Sequence, residues 1–154
     1  PVNHSVTIDR GANDGVYIGQ PVLDADGLMG QVVEVFDNYS KVLLITDINH
    51  ALPVQVLRNG LRSIVEGTSD YNEMSLMYVS PTVDIEEGDK LVSSGLGGRF
   101  PMGYPVGTVS SISQQPGKKF MQITVMPSAK LDRSRHLLLV FTLKDGDVTR
   151  DINE

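Results

Sequence analysis

Apolar residues along this chain come in short runs that alternate with polar ones, as in "KVLLIT" (41–46), "LPVQVL" (52–57) and "FMQITVMP" (120–127). A period of two puts one face of an extended strand in a core and the other in water. Gly, Pro, Asn and Asp break the runs every eight to twelve residues, the spacing of strands and turns in a small sandwich or barrel. Helix signals are nearly missing. Strands are therefore predicted near 4–9, 20–25, 29–36, 41–46, 52–57 and 61–67, and in a second set near 74–80, 90–94, 106–113, 120–127 and 136–143. "DADG" (24–27) reads as a tight hairpin turn, because Asp-type residues and Gly tolerate positive φ.

The two sets look like one pattern used twice. "VYIGQPVL" (16–23) aligns with "IEEGDKLV" (85–92), matching Gly19 to Gly88; "MGQVV" then aligns with "VGTVS", matching Gly30 to Gly107, and "KVLLIT" with "KFMQIT". This predicts two related β modules with a boundary in the polar "EGTSDYNE" (66–73). The expected fold is all-β: two small six-stranded-type β-barrels in tandem, 1–67 and 68–145, followed by a polar C-terminal tail, 146–154. An exchange of a terminal strand between the second barrel and the first is compatible with that division.

The repeat also isolates one segment. Where the first copy turns with "DADGLM", the second inserts a much longer stretch within "SSGLGGRFPMGYPVG" (93–107). An enlarged loop on a rigid barrel is where binding surfaces tend to sit. Its architecture rests on Gly95, Gly97, Gly98, Pro101, Gly103 and Pro105, and its candidate partner-binding side chains are Arg99, Phe100, Met102 and Tyr104. The prolines limit backbone freedom, so less entropy is lost on docking. Phe100 and Tyr104 either plug the end of the second barrel or face a partner.

Charge narrows the classes of partner. The net charge is −6, with 4 Lys/Arg against 10 Asp/Glu in residues 1–77 and 9 of each in residues 78–154. An acidic chain with no basic stripe lacks the counterion-releasing surface of nucleic-acid binders. Lys130, Arg133 and Arg135 form the one local basic cluster, expected to be a solvated loop. No apolar run is long enough to span a bilayer. Cysteine is absent, which removes disulfides and thiolate metal sites.

Enzymatic chemistry finds little support in the residues. "GLGGRF" puts Phe100 where a dinucleotide fingerprint needs its third Gly, and Pro101 and Pro105 prevent the helix that would hold a pyrophosphate. No Gly-Lys-Ser/Thr of a P-loop occurs. Tandem barrels suggest a chymotrypsin-like serine protease, and His50, Asp70 or Asp84, and Ser94 do occur in the required order. The nucleophile should directly precede Gly97 and Gly98, however, and Leu96 stands there. His4, His50 and His136 show no metal-ligand spacing, and the twelfth position counted from Asp24 is Val35 rather than the Glu of a calcium loop. His50 is expected to be a locally hydrogen-bonded rim residue, and Asp24 and Asp26 turn residues. No cofactor is expected. A module binding cell-wall glycan or peptide is a further alternative, weakened by the complete lack of Trp.

Taken together, "GVYIGQPVLDADGLMGQVVEV", "KVLLITDINHALPVQVLRNGLRSIVEG", "DIEEGDKLVSSGLGGRFPMGYPVGTVSSI" and "SRHLLLVF" resemble the periplasmic region of the rod shape-determining MreC family. The resemblance runs from Val6 to Phe141, and "GDKLVSSGLGGRFPMGYPVG" is its most specific piece. It implies barrels similar to the protease fold but without catalysis. It also implies a periplasmic location, with anchoring to the inner membrane by an N-terminal helix outside this chain. The function implied is a noncatalytic scaffold of cell elongation that binds the class B penicillin-binding transpeptidase, associates with MreD and the MreB system, and self-associates as a dimer or filament.

Overall fold

The computed structural model describes residues 4–132, 136–143 and 146–153. Twelve strands are present among the described residues: β1 (Ser5–Ile8), β2 (Pro21–Asp24), β3 (Gly27–Val35), β4 (Ser40–Leu44), β5 (Ala51–Val56), β6 (Arg62–Asp70), β7 (Glu73–Met77), β8 (Lys90–Ser93), β9 (Pro105–Ser113), β10 (Gln122–Pro127), β11 (His136–Leu143) and β12 (Gly146–Asn153). They build one six-stranded sheet in the order β1-β4-β3-β2-β11-β12 and one closed barrel in the order β10-β7-β6-β5-β8-β9. The all-β expectation holds, with the second unit a closed barrel and the first an open half-barrel sheet.

The internal repeat is visible in the hydrogen bonds. The Gly19 N–H donates to the Val32 carbonyl at 2.8 Å and the Gly88 N–H to the Val109 carbonyl at 2.8 Å. Both glycines sit at left-handed φ, +93° and +91°, where a side chain would be strained. β2-β3-β4 and β8-β9-β10 are thus the same antiparallel meander.

The chain divides differently from the expected 1–67, 68–145 and 146–154. β5 pairs with β6 and with β8, so both β5 and β6 belong to the closed barrel. The crossing from sheet to barrel comes after β4, and "EGTSDYNE" is the β6–β7 hairpin inside the barrel rather than a boundary. β11 returns to the first sheet beside β2. The expected polar tail contains β12, paired with β11 over the full length of both strands. Closing the second barrel requires six strands, and β7–β10 supply only four of them; β5 and β6 complete it and remove its edges.

One continuous core runs through both units, including Leu28, Met29 and Leu44 of the sheet and Leu52, Met74 and Ile123 of the barrel. Polar ties reinforce it. In the "DADG" turn, Asp24 Oδ1 accepts from the Asp26 and Gly27 N–H groups, while Oδ2 accepts from the Lys130 N–H at 2.7 Å, joining the sheet hairpin to the chain leaving the barrel. Arg58, after β5, reaches Asp84 at 3.0 Å and Asp89 at 2.9 Å and pins the loop before β8. These two carboxyls are held below the ordinary range, first by their hydrogen bonds to Arg58. No helix among the described residues is long and apolar enough to cross a membrane.

Candidate functional site

The Gly-rich loop is clamped at its base by Ser93, a buried residue at the end of β8. Its hydroxyl donates to the Pro101 carbonyl and accepts from the Tyr104 N–H at 2.9 Å. Its backbone accepts from the Gly103 N–H at 2.8 Å and donates to the Tyr104 carbonyl at 2.9 Å. A short 3-10 turn, Leu96–Gly98, forms the tip, with positive φ at Gly95, Gly97, Gly98 and Gly103. Those four glycines thus hold a left-handed backbone that other residues adopt at a cost.

The four candidate contact residues separate into two groups. Phe100 is 3% exposed and its ring meets His50 edge to face, 5.9 Å between centroids. Its ring is turned into the core at the barrel end, and an aromatic ring gains far more from that burial than from solvent. Tyr104 is half-buried against the same core. Arg99 is exposed, and Met102 is 63% exposed.

His50 also departs from expectation. It is buried, and among the described residues neither ring nitrogen has a hydrogen-bond partner. Burial pushes its pKa down from 6.5 to about 4, opposed by the Asp47 carboxylate and reinforced by Arg99. An imidazole without partners activates no hydroxyl. Ser94 Oγ instead accepts from the Leu96 N–H at 3.2 Å, Asp70 holds the Asn72 N–H, and Asp84 holds Arg58. Of the residues ordered like a protease triad, Ser94, Asp70 and Asp84 are thus engaged with other groups, and His50 hydrogen-bonds to none of them. His4 stacks on Tyr71 at 4.0 Å and meets Thr46 Oγ1 at 3.0 Å. No group of three or more His, Asp or Glu that could hold a metal occurs among the described residues. Of the basic cluster, Arg133 and Arg135 lie outside the described residues.

The loop does not stand alone. Across a groove of about 1090 Å³ it faces the first sheet, with Arg99 and Met102 on one wall and Tyr17, Ile18, Val33 and Phe141 on the other. Ile18 is 70% exposed, and Tyr17 and Met102 add exposed apolar lining. Arg99 is the one charged residue lining the groove among the described residues. Exposed apolar side chains gathered in one groove are a mark of interaction sites. Sequence reasoning missed the sheet wall, because "VYIGQ" reads as the approach to a strand. The available signal was a large aliphatic residue, Ile18, directly before a turn glycine.

The chain matches the family described as rod shape-determining protein MreC, barrel core, over residues 1–141. It is 49% identical over 136 residues to the cell shape-determining protein MreC of Haemophilus influenzae, covering 88% of this chain and 39% of that relative. The chain thus spans well under half the length of that relative. A crystal structure of MreC from Pseudomonas aeruginosa superposes with a TM-score of 0.89 at 56% identity, over 92% of this chain and 91% of that one. A solved complex between penicillin-binding protein PBP2 and MreC from Helicobacter pylori matches with a TM-score of 0.69 at 25% identity, over 88% and 85%. The family match over most of the chain, the identity to the curated relative and the close superposition agree, and the chain belongs to the MreC family of rod shape-determining proteins.

Proposed function

We propose that this chain is a noncatalytic periplasmic scaffold module of cell elongation, and that its groove between the Gly-rich loop and the first sheet docks the class B penicillin-binding transpeptidase. The carrying observation is the groove itself: apolar side chains held in the open on two facing walls, with Arg99 as the single cation among the described residues. The exposed aliphatic and aromatic anchors provide the surface to be buried on association. The PBP2 complex of the Helicobacter pylori relative supports the choice of partner class.

Family membership supports the remaining parts of the reading. On it, the complete protein is anchored to the inner membrane by an N-terminal helix, associates with MreD and the MreB system, and self-associates. Catalysis has no part in it, in keeping with Leu96 at the position where a nucleophile would stand. The test is capture of the cognate transpeptidase's periplasmic region by this chain in biolayer interferometry. Binding in the micromolar range or tighter, worth about 8 kcal/mol or more, is expected. A folded chain that shows no binding at tens of micromolar overturns the proposal.

A further inference from the structure

β12 lies beyond the stretch matched by the family, which ends at Phe141 within β11. It adds an eight-residue strand to the first sheet, in register with β11 from His136↔Asn153 to Leu143↔Gly146. β11 is its only pairing partner among the described residues. Among its described side chains, Ile152 and Arg150 help to fasten it. Ile152 is 2% exposed and joins the core, and the Arg150 guanidinium lies over the Phe141 ring at 4.0 Å.

The two strands differ sharply as edges. Leu137, Leu138, Leu139, Val140 and Phe141 carry no charge, and the β11 edge accepts an antiparallel strand, since β12 occupies it along its whole length. A second copy of β11 could take the same place through a two-fold axis at Val140, setting Leu139 opposite Phe141 with no like charges in contact. β12 presents exposed Thr149, Arg150 and Asp151 instead. A two-fold axis at Arg150 or at Asp151 would place like charges side by side, a common protection against edge pairing.

We infer that β12 is an intramolecular cap on a strand edge that would otherwise pair with the same edge of a second copy of this chain. It replaces an apolar, self-compatible edge with a charged one. This surface is separate from the transpeptidase groove and does not rest on that assignment. Self-association through β11 is therefore closed while β12 is docked and opens when β12 is released.

Sedimentation velocity on the whole chain and on residues 1–143 tests this, with a peptide of residues 146–153 added back. The shortened chain is expected to associate at least tenfold more tightly than the whole chain, and the peptide to reverse the effect. Ile152→Asp in the whole chain, which removes the core anchor without shortening it, is expected to show the same gain. If either variant retains a cooperative melt and associates no more than the parent, the inference fails. If neither retains a cooperative melt, β12 is an integral strand rather than a displaceable cap, and the inference fails equally.

Discussion

Acidification should loosen this fold through one residue. His50 is buried at the barrel end against Phe100, without a hydrogen-bond partner among the described residues, and its pKa is lowered from 6.5 to about 4. The unfolded chain therefore binds a proton that the folded chain refuses. Above pH 6.5 both states are neutral at this site and the stability is complete; as the pH falls below 6.5 the unfolded state gains, until the folded pKa is passed. At about 1.4 kcal/mol per tenfold in proton affinity, the loss reaches about 2 kcal/mol by about pH 5 and about 3 kcal/mol by about pH 4. Asp84 and Asp89 act elsewhere: their carboxyls lie below the ordinary 3.8, so their contribution is present above that value and is lost only at lower pH. Urea unfolding followed by far-ultraviolet circular dichroism at pH 7.5, 6 and 5 should show the decline, and His50→Leu should flatten it. Equal unfolding free energies at pH 7.5 and 5, or an unchanged decline in His50→Leu, would refute the reasoning.

Three other outcomes follow from the same geometry. Phe100→Ala should cost about 3–5 kcal/mol, the usual penalty for emptying a buried aromatic site; a variant that melts like the parent would mean that the ring is not a plug. Gly67→Ala should destabilise by about 1–3 kcal/mol or more, because an added Cβ would overlap the Asp47 carbonyl at the crossing from sheet to barrel; an unchanged melting temperature contradicts that close approach. A fluorophosphonate probe should leave Ser94 unlabelled, since its hydroxyl is buried and engaged with the Leu96 N–H; labelling lost in Ser94→Ala would establish a serine nucleophile.

What the sequence made legible, and what it hid, follows from the range of the forces involved. Period-two alternation and turn residues are local, so β1 to β11 are anticipated within a few residues, and the Gly19/Gly88 equivalence predicts matched backbone geometry. Strand partnership is not local. Nothing in "LPVQVL" says that it will pair with β8 rather than with β4, because both would bury the same alternating face. β12 escapes an apolar criterion for a different reason: an edge strand needs few apolar residues, and charge is what keeps it from pairing further. The loop offered four candidate side chains, and only packing distinguishes Phe100, which closes the barrel, from Met102, which remains in the open. His50 was hidden likewise, since an imidazole reads as polar until its neighbours are known.

The central claim is that Ile18 and Met102, from opposite walls of one groove, receive the elongation transpeptidase. Both are largely exposed, at 70% and 63%, so replacing them should leave the melting temperature of this chain unchanged. Titration of the cognate transpeptidase against the parent chain and against the Ile18→Asp, Met102→Asp double variant is the most direct measurement. The account predicts an affinity at least about tenfold weaker for the variant, a loss of about 1.4 kcal/mol or more. Equal affinity for a variant that remains fully folded would contradict it.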